Sequence, residues 1–253
     1  MRTLIGCCTR GTIDEFVNTP LYNSMFMEQI GAHRSVNDNV VLITCPDYIG
    51  LINTNNTDKL SKFYNKVLDF AISEEYECVI LAHDDVSIED KLLFDKLNTA
   101  FGSYDIVGIA GGRDVQLREP ALWHMMSDKA SWSGAVAHPA GDDCVRMSGN
   151  RQYKLQHVTA FGPTPLKCLV LDGLFLAIKL SSVGDKIRFD EQIPSIAHHY
   201  DLDFCLTCNR NTLKLTTWPI WVVHNSPGLK SFTDEFNASQ EYFLNKWKKE
   251  YAE

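Results

Sequence analysis

Two adjacent carboxylates, Asp84 and Asp85, stand directly after a short apolar run. Their oxygens are hard donors, of the kind that Mg2+ or Mn2+ takes. Acids at strand ends also serve as helix caps, but Ser87 followed by Asp90 offers a capping box for a helix running toward Phe101, which relieves the pair of that duty. A second constellation, Phe189-Asp190-Glu191 and then His198-His199-Tyr200-Asp201-Leu202-Asp203, is dense in carboxylate and imidazole. Its adjacent histidines suggest zinc, yet no H-E-x-x-H spacing is present, and Asp201 and Asp203 also suit the first turn of a helix, where they meet its dipole. A third segment, Trp218-Pro219-Ile220-Trp221-Val222-Val223, ends in His224-Asn225-Ser226. A lone histidine there is more often structural, but just past a strand end His224 is sterically able to face the same crevice as the acids.

For these groups to meet, the chain must carry them to one edge of one sheet. Apolar runs bounded by polar or turn residues predict strands at 3–9, 39–45, 78–83, 105–110 and 169–178, the first four buried. Between them, residues 57–73 place Leu60, Phe63, Tyr64, Val67, Leu68, Ala71 and Ile72 at steps of three and four, one buried helical face. Strands alternating with helices imply a largely parallel sheet wound from βαβ units, with helices on its faces. Ligands of such sheets sit at the carboxyl ends of the strands, so Thr9-Arg10, Pro46-Asp47 and His83-Asp84-Asp85 are expected to border one crevice.

Residues 111–167 lose this periodicity and are rich in Gly, Pro, Trp and His, which predicts a long functional loop. Trp123 and Trp132 within it have faces that can stack on a sugar, or they serve as ordinary core aromatics. Ser231 and Asp234 form another capping box, followed by Phe232, Phe236, Phe243, Trp247 and Tyr251 on one face of a C-terminal helix.

The formal net charge of −8 argues against a general grip on nucleic acid or anionic lipid. A phosphate-bearing ligand would need a cation or a helix N-terminus. The eight cysteines form no doubled pair of the zinc-site kind, and Cys205 and Cys208, one helical turn apart, read as buried thiols. Only three residues precede Leu4-Ile5-Gly6-Cys7, too few for a signal peptide, and no apolar run reaches the ~20 residues of a membrane helix. The expectation is a cytoplasmic protein with no membrane span and no nucleic-acid partner, folded as one domain over 1–253.

Taken in order, His83-Asp84-Asp85-Val86, Leu171-Asp172-Gly173-Leu174-Phe175, Phe189-Asp190, His199-Tyr200-Asp201-Leu202-Asp203 and Val223-His224-Asn225-Ser226 resemble the small family-2-like glycosyltransferases of the GT-A fold. The resemblance spans nearly the whole chain. It implies an α/β, Rossmann-like mixed sheet and an inverting sugar transfer from a nucleotide-diphosphate-sugar donor to an acceptor hydroxyl. Asp85 then matches the acid that ties Mn2+ or Mg2+ to the diphosphate, Asp84 its neighbour near the ribose, and His224 the late histidine that completes the metal site. Asp201 matches the general base, and Asp203 follows it in the same helix. Thr9 and Asp47 end the strands that hold the nucleotide base, and Asn65 matches an asparagine on a donor-facing helix. Residues 1–110 would form the donor half, 111–230 the acceptor and catalytic half, and 231–253 the terminal helix.

Two features depart from the family pattern. The D-x-D spelling is replaced by His83-Asp84-Asp85, and Tyr200 stands where an acid commonly precedes the base. A nucleotidyltransferase would share the sheet and the acids but needs a Gly-rich basic loop after the first strand, where only Thr9-Arg10-Gly11 stands. A catalytically silent carbohydrate-binding relative is the non-enzyme alternative.

Overall fold

The computed structural model describes residues 1–37, 39–141, 145–148, 151–226 and 232–251. The chain begins with β1 (Thr3–Cys8), the short helix α1 (Ile13–Phe16) and three strands, β2 (Arg34–Asn37), β3 (Val40–Thr44) and β4 (Tyr48–Asn53). Next come α2 (Leu60–Ser73), β5 (Cys78–Ala82), β6 (Val86–Ile88), α3 (Leu93–Ala100), β7 (Ile106–Gly108) and β8 (Ala110–Gly112). A β-rich stretch follows: α4 (Trp123–Met126), β9 (Trp132–Pro139), β10 (Val145–Ser148), β11 (Arg151–Lys154), β12 (Gln156–Gly162), β13 (Leu166–Cys168) and β14 (Val170–Leu171). The chain closes with β15 (Phe175–Lys179), α5 (Leu180–Val183), α6 (Tyr200–Arg210), β16 (Leu215–Thr217), β17 (Val222–His224) and α7 (Asp234–Tyr251).

The main sheet has the order β13-β16-β7-β15-β5-β1-β4-β3-β2. Strands β4, β1 and β5 are parallel neighbours, while β15 runs antiparallel between β5 and β7. Alternation along the central strands divides the core in two. Ile5, Ile80 and Ala177 join one apolar cluster with Trp247 of α7, whereas Leu4, Val79, Leu81 and Ile178 join the other with Val67 of α2 and Phe204 of α6. Helices therefore cover both faces, as the mixed α/β reading requires. A smaller sheet, β14-β8-β9-β17-β6, lies beside it, with β12 paired to β9.

Several sequence expectations are corrected. Residues 39–45 do not form a parallel strand: β3 returns through Pro46-Asp47 as a hairpin with β4, and β4 is the parallel neighbour of β1. Residues 111–167 are not a long loop, because β9 and β12 pair antiparallel, with Ala135 opposite Ala160 and Ala137 opposite Val158. Trp123 is buried in the core against Phe161, and the half-buried Trp132 donates from Nε1 to Ser127 Oγ at 2.7 Å, so Trp123 offers no face to an acceptor. Ser87 lies in β6, its hydroxyl bonded to Glu89, and caps nothing; Asp90 instead accepts from the backbone N–H of Leu92 and of Trp221 and pairs with Lys96. For α7, Thr233 Oγ1 accepts from Phe236 N at 3.1 Å, and Ser231 lies outside the described residues.

Helix α7 is pinned to α6 through a buried polar contact. Asp203, 0% exposed, accepts from Trp247 Nε1 at 2.7 Å and pairs with Lys246 at 2.8 Å, which also holds Asp190 at 2.6 Å. Removing one partner of a buried ion pair leaves the other poorly solvated. Asp203→Ala is therefore expected to lower stability by about 3 kcal/mol, read as a shifted urea midpoint in circular dichroism.

Candidate active site

The crevice forms where three carboxyl ends meet two further elements. Parallel pairing brings Cys8 of β1, Asn53 of β4 and the end of β5 to one edge. Since β15 is antiparallel to β5, with Phe175 opposite Ala82, the Asp172-Gly173-Leu174 turn arrives at the same edge, and His83 N donates to Leu174 O at 3.2 Å. Strand β17 pairs with β6 so that His224 faces Val86, and Asn225 N donates to Asp85 O at 2.9 Å. Five segments distant in sequence thus converge.

A cavity of about 300 Å³ opens here, lined among others by Thr9, Arg10, Asn56, His83, Asp84 and Asp85. A larger cavity of about 600 Å³ lies at the opposite strand ends, by Glu77 and Lys179, and gathers none of the site residues. Beside the crevice, His83, Asp85 and His224 hold ligand atoms within 4.8 Å of one another, the only such group among the described residues. Asp85 Oδ1 is 3.5 Å from His224 Nε2 and, although buried, has no hydrogen-bond partner. An orphaned buried carboxylate oxygen facing two imidazoles fits a divalent cation, which would satisfy it.

The charges interlock. Burial pulls His224 toward the neutral form, but the neighbouring Asp85 carboxylate outweighs it and raises its pKa. The converse holds for Asp85: burial pushes it up, and His224 more than offsets this, leaving it below the ordinary carboxylate value. Asp84 is raised by burial and by Asp85, against a stabilising hydrogen bond from Thr9. His83 is lowered by burial, and its Nε2 lies 2.8 Å from Tyr200 Oη.

Asp201 opens helix α6. The preceding His199 adopts a left-handed conformation, φ 63°, which turns the chain into the helix. Gly173 N donates to Asp201 Oδ2 at 2.8 Å, and Tyr200 Oη donates to Gly173 O at 3.2 Å. Burial first, and the Asp172 charge second, push the Asp201 carboxyl up to about 7. The charge of Asp172 also reaches His83 and His224. Asp201, His83 and His224 thus all feel the same Asp172 charge.

Of the residues singled out in the sequence, Thr9, Asp84, Asp85, Asp201 and His224 meet at this edge. Asp47 does not. Because Thr44 pairs with Ile49 and Tyr48 with Thr3, Asp47 sits exposed at the amino end of β1, and Asn53 occupies the position expected of it. Asn65 is a brace: its Nδ2 donates to Phe189 O at 2.9 Å and Glu191 Oε1 at 2.8 Å, while its Oδ1 accepts from Phe189 N at 2.8 Å, which consumes the amide. Among the described residues, the His198-His199 pair joins no group of gathered ligand atoms, and His199 Nδ1 lies 2.9 Å from Ser239 Oγ. His83 and Asp172 also reach this edge, brought together only in space by the antiparallel pairing of β15 with β5.

The glycosyltransferase-like family model matches residues 44–247. The chain belongs to this family. It is a glycosyltransferase. No curated protein sequence matches it. Solved structures similar to it include A197 from STIV, 14% identical, with TM-score 0.47 over 87% of this chain and 82% of that one. TarS of S. aureus is 14% identical, with TM-score 0.47 over 89% of this chain and 37% of that one. The mannosyltransferase PcManGT from Pyrobaculum calidifontis, in complex with GDP-Man and Mn2+, is 10% identical, with TM-score 0.46 over 90% of this chain and 57% of that one. No helix among the described residues is long and apolar enough to cross a membrane.

The raised Asp201 pKa has a consequence for stability. An unfolded chain releases this proton near pH about 4, so between about 4 and 7 the folded state binds more protons. Stability then falls as pH rises through that window and stays lower above it. Asp201→Asn removes the buried charge. In EDTA the variant is expected to gain up to about 4 kcal/mol at pH about 8 and nothing at pH about 4, by urea unfolding.

Proposed function

We propose that this glycosyltransferase moves a sugar from a nucleoside-diphosphate-sugar donor to an acceptor hydroxyl in one inverting displacement. The observation that supports it is the placement of His83, Asp85 and His224 beside a cavity lined by Thr9 and Asp84, with Asp201 tied to the same edge through Gly173. Thr9 and Asp84 hold the nucleoside part, while Asp85 and His224 hold a divalent ion, Mn2+ or Mg2+. When bound, that ion neutralises the negative charge of the diphosphate leaving group. An acidic protein needs such help, and Arg10 is the single cation among the residues lining the cavity.

Asp201 takes the proton of the acceptor hydroxyl. A carboxyl titrating near neutrality is matched to that task, since it is basic enough to accept a proton and still largely ionised above pH about 7. Gly173 N–H fixes one of its oxygens, so the other is directed by the helix start rather than free to rotate. Residues 1–110 supply the nucleoside pocket, and residues 111–230 supply His224, Asp172 and Asp201, from the acceptor side. The two parts interleave in one sheet, with β15 between β5 and β7.

The tests separate donor binding from chemistry. Asp85→Ala is expected to abolish the metal dependence of nucleoside-diphosphate binding in titration calorimetry; binding that keeps its metal dependence would sink the metal assignment. Asp201→Asn should lower turnover roughly 100- to 10,000-fold with donor affinity nearly unchanged. A product that keeps the donor's anomeric configuration by NMR would show that the displacement is not single.

A further inference from the structure

The one titratable cluster of the site contains an imidazole where the family spelling has an acid, and its second nitrogen is already engaged. His83 Nε2 lies 2.8 Å from Tyr200 Oη. The phenol has a single proton, and Tyr200 Oη donates it to Gly173 O at 3.2 Å, since a carbonyl can only accept. With the phenol proton on Gly173 O, His83 is the donor at Nε2, and the lone pair is left on Nδ1. Such division of labour is how a histidine is prepared for a cation: one nitrogen gives its proton to a fixed acceptor, and the other coordinates.

We propose that His83 is a third protein ligand of the cation, binding through Nδ1, and that Tyr200 is the positioning residue that fixes this tautomer. The ligand set is then two imidazole nitrogens and one carboxylate oxygen. It takes a divalent ion of the transition series in preference to Mg2+. This rests on the proposed metal-assisted reading of the site and narrows its ion.

Three observations support it independently of any sequence likeness. His83, Asp85 and His224 are the residues whose donor atoms gather within 4.8 Å, and Asp84 is not among them. Asp85 Oδ1 is buried without a hydrogen-bond partner. Tyr200 is itself buried, 2% exposed, and held by the start of α6, so its oxygen is a fixed acceptor rather than a mobile one. Mg2+ prefers an all-oxygen octahedral shell and parts reluctantly with its waters. Imidazole nitrogen is borderline-soft, and affinity for nitrogen sites rises from Mn2+ to Co2+. Two nitrogens in the set therefore favour Co2+ over Mn2+, and Mn2+ over Mg2+.

The test uses the full chain, stripped with chelator and titrated with Mg2+, Mn2+ and Co2+ separately by calorimetry, with no nucleotide present. Co2+ is expected to bind at least 100-fold more tightly than Mg2+, with a visible absorption spectrum showing nitrogen ligation. His83→Asn is expected to lower Co2+ affinity by at least 10-fold and to shift that spectrum. In the metal-free protein, 15N NMR of the imidazoles should show His83 protonated at Nε2; Tyr200→Phe should turn this into a mixture of tautomers and weaken Co2+ by roughly 10-fold. Unchanged circular dichroism and urea midpoint of both variants keep folding defects apart. Equal affinity for Mg2+ and Co2+, an unaltered spectrum in His83→Asn, or His83 protonated at Nδ1 would each overturn the proposal. Selective Co2+ binding through His83 in a protein that transfers no sugar would leave it standing and sink the catalytic reading instead.

Discussion

Gly173 sits where the turn into β15 meets the first residues of α6, and a side chain does not fit there. A Cβ at this position would fall 2.8 Å from Asp201 Cβ and closer still to the Tyr200 hydroxyl. Without it, the backbone of one residue serves both neighbours, its N–H holding Asp201 and its carbonyl taking the Tyr200 proton. The position of Asp201 against the Asp172-Gly173 turn is therefore set by main-chain atoms, which have fewer degrees of freedom than side chains. Everything else in the site is arranged around this close approach, including the antiparallel insertion of β15 that delivers Gly173 beside β5.

The second constraint is electrostatic. Asp84, Asp85, Asp172 and Asp201 crowd one edge of a chain whose net charge is already −8. Burial raises Asp84 and Asp201, so the apo protein carries unfavourable charge where a ligand would relieve it. His224 and His83 offset part of this without adding a permanent positive charge, which would compete with a cation. Away from the site the buried acid Asp203 is instead fully paired, and it contributes to holding α7. The same residue type thus stands at the crevice at the start of α6 and in the packing two residues further on.

Short continuous apolar runs made β1 and β5 legible, because both faces of these strands are buried, and the i, i+3, i+4 pattern made α2 legible, because it buries one face. The acids after β5 were found for a related reason: any polar pair ending a buried strand must lie at the sheet's edge. Asp47 failed because a hairpin and a βαβ unit both begin with an apolar run, and direction is decided only by pairing. Residues 111–167 failed because short strands interrupted by glycine carry little periodicity of their own; β9 and β12 are strands by virtue of each other. Asn65 failed because a side chain on the right helix can turn its amide to a neighbouring segment, and Phe189 and Glu191 take it up.

By itself, the sequence determined the α/β class and the buried helical faces, since local periodicity expresses burial directly, while the order of its short motifs carried the likeness to the family and singled out Thr9, Asp84, Asp85, Asp201 and His224, which the fold brings to one edge. The tertiary structure alone decided that His83 joins Asp85 and His224, that the Asp172-Gly173-Leu174 turn reaches the same edge, and that Asp203 belongs to the packing of α7. Those outcomes depend on strand order and direction, with β15 set antiparallel between β5 and β7 and β17 laid against β6. Contacts of that kind join residues more than 100 positions apart, as His83 and Tyr200 are, and no short-range pattern in the chain encodes them.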